Sequence, residues 1–301
     1  MCNKRKLLII GGDLRQIYCG RRLAKQYDVY IMGFDDELLP VSDIKKADCT
    51  MKSFFDYIVL PVPALQSGEI ISTPFSKEKF TLSDIKKLSK PNGVIFGGKL
   101  DEKVLSYLKG NPIADYMERE GLNILNAVPT AEGAVQIAME ELPATINSQK
   151  VLVAGYGRIG KALVNILKGL GADILDLLTQ ALGADITVGV HSSESESWAK
   201  LAGLKTCSTK NIEGDYGLIF NTVPKLIFTK DVFDKLNPDV LIIDLASKPG
   251  GVDFDTAAQL GIKVVWALGL PGKIAPITSG EIIADTISGI IQERSEADVK
   301  A

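Results

Sequence analysis

The chain reads as an α/β protein: two Rossmann-like doubly wound parallel-sheet domains with an interdomain cleft. Three observations predict this. Short apolar runs alternate with stretches of helical spacing along most of the length. The apolar run 151–154 leads through Gly155-x-Gly157-x-x-Gly160 into the helical stretch 161–168. That motif also sits mid-chain, so a unit of comparable size precedes it.

Each glycine of the motif has a physical task. Gly155 permits the tight turn, Gly157 lets backbone approach a pyrophosphate, and Gly160 brings the helix close to the strand. Unpaired N–H groups at the helix start then face the anion. The cofactor set read from this turn is Gly155, Tyr156, Gly157, Arg158, Ile159 and Gly160.

Composition narrows the class. The 301 residues are 46% hydrophobic, enough for two cores. A net charge of −3 makes no electrostatic case for nucleic acid or an anionic membrane. No apolar run is long enough to span a bilayer. The run 7–10 is too short for a signal peptide and meets Gly11-Gly12, so it reads as a first strand. Cys2, Cys19, Cys49 and Cys207 show no CxxC spacing, which suits reduced cytoplasmic thiols and no metal site. A homo-oligomer is compatible with all of this.

In the first half, strands are expected at 6–10, 29–33, 57–61 and 94–96, with helices at 16–26 and 101–109. The stretch 123–125 is expected to close that sheet. A capped helix over 130–142 follows. Expected boundaries are an N-terminal substrate and partner domain, 1–129, joined by the terminal helix 279–301. An interdomain helix and linker occupy 130–149, and the dinucleotide domain 150–278. Strands in that domain are expected at 151–154, 186–190, 218–221, 240–244 and 264–266. Ligands in such sheets lie beyond the carboxyl ends of the strands. This adds Asn221, Thr222, Val223, Pro224 and Asp244 to the cofactor set.

An internal repeat complicates the second strand of that domain. Residues 163–174 recur imperfectly as 175–186, both ending in Leu-Gly-Ala-Asp-Ile. Twelve extra helical residues rotate an apolar face by about 120°, so a break or loop is needed, and Gly171 offers one. If the first copy forms the strand, Asp176 would hold the ribose of NAD. If the second copy does, the strand ends in His191, Ser192 and Ser193. No carboxylate then opposes a 2′-phosphate, and Arg158 can join it. The β-branched 187–190 favours the second register, and with it NADP over NAD. Glu194 and Glu196 count against it as nearby anions.

Candidate substrate groups lie on other loops. Arg15 follows Gly11-Gly12-Asp13, and Lys99 follows Gly97-Gly98. Lys273 and Thr278 lie in the proline- and glycine-rich 270–280, read as a rigid loop in which Thr278 or Ser279 caps the last helix. These cations suit a small-molecule dicarboxylate. Asp13, Glu132 and water are the candidates for general base, with Lys273 a further catalytic candidate.

Together these residues closely resemble the dipicolinate synthase A-subunit family over essentially the whole chain. The resemblance rests on IIGGDLRQ, Pro61-x-Pro63, Gly97-Gly98-Lys99, PTAEGA, GYGRIGKAL, NTVP, DLASKPGG and ALGLPGKIAPITSGEII. It implies NAD(P)-dependent oxidation of a dihydro- or hydroxytetrahydro-dipicolinate to dipicolinate. It also implies a partner, a flavoprotein-like B subunit, in the mother-cell cytoplasm of a sporulating bacterium. The repeat departs from the family pattern. Rival readings are an alanine-dehydrogenase-like enzyme, a 2-hydroxyacid dehydrogenase and a non-catalytic NADP-binding regulatory subunit. The second of these needs an acid/base histidine, and the single histidine, His191, falls at the expected adenosine end.

Overall fold

The computed structural model describes residues 4–38, 44–48, 51, 54–147, 149–172 and 185–300. The chain divides into two compact units, Met1–Asn126 with Ala275–Ala301, and Ala127–Ile274.

Along the first unit run β1 (Lys6–Ile10), α1 (Leu14–Leu23), β2 (Asp28–Met32), β3 (Lys45–Lys46) and β4 (Phe55–Val59). Then come α2 (Leu82–Leu88), β5 (Ser89–Gly97), α3 (Glu102–Tyr107) and β6 (Ile113–Asp115). Helix α4 (Glu120–Glu141) crosses the division. The second unit holds β7 (Lys150–Ala154), α5 (Arg158–Leu167), β8 (Asp185–Val190), α6 (Ser193–Leu201) and β9 (Lys205–Ser208). It continues with β10 (Leu218–Asn221), α7 (Lys230–Phe233), β11 (Leu241–Asp244), α8 (Phe254–Gln259), β12 (Lys263–Trp266) and α9 (Leu270–Ile274). Helix α10 (Pro276–Lys300) returns to the first unit.

Both main sheets are parallel and share one topology. The first has the order β3-β2-β1-β4-β5-β6, the second β9-β8-β7-β10-β11-β12. Strand addition reverses between β1 and β4, and between β7 and β10, which are the switch points of doubly wound folds. Strands such as KLLII and LIID are continuous apolar runs because both of their faces are covered. In the first unit, Leu7 and Ile9 pack with Ile17, Leu23, Ile283 and Ile287 from α1 and α10. Leu8 and Ile10 pack on the other face with Leu82, Ile85 and Val104. In the second, Val151, Val153 and Phe220 meet Ala134, Leu163 and Leu167, while Leu152 and Ile219 meet Phe228 and Phe233.

The second copy of the repeat supplies β8, which pairs Ile186 with Val151 and Val188 with Val153. Asp176 lies outside the described residues, as does all of the second copy before the strand. Two expectations are corrected. The first sheet closes with Ile113–Asp115, and 123–125 belongs to α4, where the Asn123 N–H donates to the Arg119 carbonyl. Three apolar residues cannot by themselves distinguish a strand from a helix segment. Helix α4 also begins ten residues before Thr130 and carries Pro129 inside it. The proline imitates a helix start, because the same ring suits a first turn.

Helices α1 and α10 lie close because Gly280 has no side chain. A Cβ there would come 2.4 Å from the Arg15 carbonyl oxygen and 2.9 Å from the Cys19 nitrogen. Gly280→Val is expected to lower stability by about 2 kcal/mol through overpacking. Denaturant unfolding would read this as a reduced midpoint at unchanged slope, and an unchanged midpoint would refute the close packing.

Candidate functional site

The strongest local constellation lies at the carboxyl end of β7. Gly155 sits at φ +100°, where a side chain is strained, and a Cβ would lie 2.3 Å from Thr222 Oγ1. A Cβ on Gly160 would lie 2.1 Å from the Gly155 carbonyl oxygen, so α5 can reach the strand only with glycine here. Gly157 differs: a Cβ there would meet nothing within 4 Å. It is the N-cap residue of α5, with no side chain to cap the helix, and it is exposed. The turn thus leaves open space before an uncapped helix start. This is the cradle a pyrophosphate requires, so the residues present fit a dinucleotide. Arg158 is exposed at the helix start, while Tyr156 and Ile159 pack partly against the core of their unit. Burial pushes the Tyr156 phenol above its ordinary pKa.

Adjacent loops frame the turn. The Thr222 hydroxyl donates to the Ala154 carbonyl at 3.0 Å, tying the loop after β10 to β7. Val223 is half-buried and Pro224 exposed on the same loop. Beyond β8, His191 is exposed, Ser192 caps α6 by accepting from the Ser195 N–H, and Ser193 is exposed in its first turn. Glu196 pairs with Lys200 at 2.6 Å, so one of the two nearby carboxylates is already countered. Sequence reasoning missed Lys161 and Trp198. The Lys161 ammonium lies 5.7 Å from the Tyr156 ring centre and 5.5 Å from that of Trp198. The i, i+5 step from Tyr156 to Lys161 was visible, but Trp198 belongs to another helix.

Asn221 and Asp244 have a different role from the one expected. Both are fully buried, so neither is placed to touch a cofactor. Asp244 accepts from Asn221 Nδ2 at 2.8 Å, from the Ala246 N–H at 3.0 Å and from the Gly251 N–H at 2.9 Å. The pair ties the ends of β10 and β11 to the Pro249-Gly250-Gly251 turn, and is a positioning device.

The substrate candidates are spread over several elements. Asp13 is the N-cap residue of α1, and its carboxylate grips Arg15 through Nε at 2.9 Å and Nη2 at 2.8 Å. Burial opposes the Arg15 charge, but the Asp13 hydrogen bond and charge outweigh it and raise its pKa. Asp13 is therefore occupied as a cap and counter-ion, which weakens it as a base and Arg15 as a free carboxylate receptor. Lys99 is exposed at φ +54° after β5. Within the first unit its loop touches the loop after β4, since a Cβ on Gly98 would lie 2.2 Å from Val62 Cγ2. The expected rigid loop at 270–280 is instead two helices, because Pro271 and Pro276 each fall in a first turn, where proline is tolerated. Lys273 is exposed on α9 and Thr278 exposed in the first turn of α10, not a cap. Glu132 is exposed on α4 beside Gly133, against which Leu270 and Ile274 pack. Among the described residues no cluster could hold a metal ion, and no helix is long and apolar enough to cross a membrane.

Fold and turn together define a class: an α/β protein with two Rossmann-like sheets and a dehydrogenase-like fold. The chain is similar to the curated A subunit of dipicolinate synthase from Bacillus subtilis, 33% identical over 96% of each chain. It is also similar to the crystal structure of the dipicolinate synthase A chain from that organism. There the TM-score is 0.83 and the identity 32%, covering 98% of this chain and 99% of the other. Residues 6–116 match the family defined by the N-terminal domain of the dipicolinate synthase A subunit. A transhydrogenase from Sinorhizobium meliloti, 13% identical at TM-score 0.65 over 96% of this chain and 94% of that one, shares the fold alone. The chain belongs to the dipicolinate synthase A-subunit family.

Replacing Asp244 tests the buried clamp. Asp244→Ala leaves three donors unsatisfied and is expected to cost about 3 kcal/mol. Asp244→Asn keeps the shape but sets an amide against donors, and should fall between alanine and wild type. Equal stability of all three by thermal unfolding would remove the clamp.

Proposed function

We propose that this chain catalyses the NAD(P)-dependent oxidation of dihydro- or hydroxytetrahydro-dipicolinate to dipicolinate, with NADP preferred. The observation that carries this reading is the open Gly157 cradle before the uncapped start of α5, in a chain of this family. The hydroxylated precursor loses water, and the dihydro ring then loses a hydride and a proton to become aromatic. The nicotinamide cofactor supplies the hydride acceptor when bound. The N–H groups of the first turn of α5 take the pyrophosphate, and Thr222 with Val223 lines the nicotinamide side.

The preference for NADP rests on the end of β8. The strand runs into His191, Ser192 and Ser193 with no carboxylate at its tip, and Arg158 is exposed at the start of α5. Lys99, Lys273 and Thr278 are the exposed candidates for the substrate carboxylates, and Glu132 the exposed candidate base. The partner is a flavoprotein-like B subunit, and the setting the mother-cell cytoplasm during sporulation.

The test mixes the full chain and its B subunit with freshly generated hydroxytetrahydrodipicolinate and NADP or NAD. Reduced nicotinamide and dipicolinate are followed together. Equal amounts of both are expected; dipicolinate formed without reduced nicotinamide would refute the hydride step. Arg158→Glu should raise KM for NADP about tenfold relative to NAD, the loss of one charged contact. An unchanged ratio would remove the preference. Binding of NADP with no turnover under any condition would favour a regulatory subunit.

A further inference from the structure

The amino ends of β1, β4, β5 and β6 surround a cavity of about 440 Å³. It lies at the edge of the first sheet opposite the loops that follow β1, β4 and β5, where ligands of doubly wound folds are expected. Its volume falls in the range of small-molecule sites.

The cavity is built by an irregularity in β5. Phe55 pairs with Ser89 and Tyr57 with Val94, so two residues of β4 are spanned by five of β5. The intervening segment, 90–93, lies opposite Asp56 alone and lines the cavity. Asn92 stands at φ +64°, an uncommon conformation for a residue with a side chain. Asn111 holds the bulge in place. Its amide donates to Ser89 Oγ at 2.9 Å, the Lys90 carbonyl at 3.3 Å and the Gly93 carbonyl at 3.0 Å. A bulge held by three such bonds has a cost in ladder pairing and marks a place shaped for another purpose.

The lining charge is unbalanced. Arg5, Lys90 and Arg294 face one carboxylate, Asp56. Lys90 donates to Asp56 at 2.7 Å, which leaves two guanidinium groups in excess. Arg5 donates to the Tyr57 hydroxyl, and Arg294 Nη2 to the Ile113 carbonyl at 3.0 Å. Neither guanidinium makes an ion pair among the described residues. Each keeps further N–H donors beyond these neutral partners. Val94, Pro112 and Ile291 add apolar wall to the same cavity.

We propose that this cavity binds a small organic dianion, held by Arg5 and Arg294 through its paired oxygens and by the apolar wall through its carbon body. Guanidinium forks suit a carboxylate or a phosphate monoester equally well. The inference stands on this cavity alone and does not depend on the proposed reaction.

The test is calorimetric titration of the full chain, free of nicotinamide, with pyridine-2,6-dicarboxylate, adenosine 5′-monophosphate and inorganic phosphate. At least one organic dianion should bind saturably, and the one that binds identifies the source. Arg5→Gln and Arg294→Gln should each weaken that binding about tenfold, and Lys103→Gln, an exposed change on α3 away from the cavity, should leave it unchanged. Hydrogen exchange of the wild-type chain should slow at 90–94 and 291–295 when the dianion is added. This readout decides the matter even if a variant fails to fold. The proposal is overturned if neither organic dianion binds, or if inorganic phosphate binds as tightly. It is also overturned if binding falls with Lys103→Gln and not with Arg5→Gln, or if exchange at those segments does not change.

Discussion

The contact between Gly160 and the Gly155 carbonyl is the constraint on which the second unit depends. Helix α5 must cross β7 at backbone distance, and a Cβ at Gly160 would stand 2.1 Å from that oxygen. From this approach follows the rest. The helix start lies over the strand end, the Gly157 backbone is left bare, and Thr222 can seal the turn through the Ala154 carbonyl. The same approach lets Leu163 and Leu167 reach Val151 and Val153 in the core. The glycines therefore serve packing and an anion cradle with one geometry.

Around that turn the chain uses buried polar groups to fix loops rather than to meet ligands. Asp244 and Asn221 lie out of reach of solvent and bind each other and the backbone of two loops. Asp13 does the equivalent at the surface of the first unit, where it caps α1 and grips Arg15. Fastened in this way, the loops hold exposed groups such as His191 at defined places. Asp13, which looks catalytic in sequence, is here a fastener.

The two units repeat one topology, yet they differ at the opposite edge. The first sheet carries a long bulge at the amino end of β5, and the second sheet shows regular pairing throughout its described strands. In the first sheet a bulge pinned by Asn111 opens that edge and brings two arginines to its walls.

The sequence by itself determined the doubly wound class, the central strands of both sheets and the glycine turn, while the short edge strands β3, β6 and β9 carry too few apolar residues to show. Buried parallel strands are unbroken apolar runs, and the turn needs glycine at fixed local spacing, so both are written within a few residues of each other. It also favoured the second copy of the repeat for β8, because β-branched residues mark the strand, and the pairing with β7 bears this out. Tertiary structure alone decided what depends on distant neighbours. Asp244 is a clamp because Asn221 and Gly251 fold onto it, and Trp198 joins Lys161 only when α6 meets α5. The cavity at the amino edge exists because Arg5, Lys90 and Arg294, from three separate parts of the chain, converge on one bulge. Charge and exposure are properties of the folded surroundings, and no local pattern of residues encodes them.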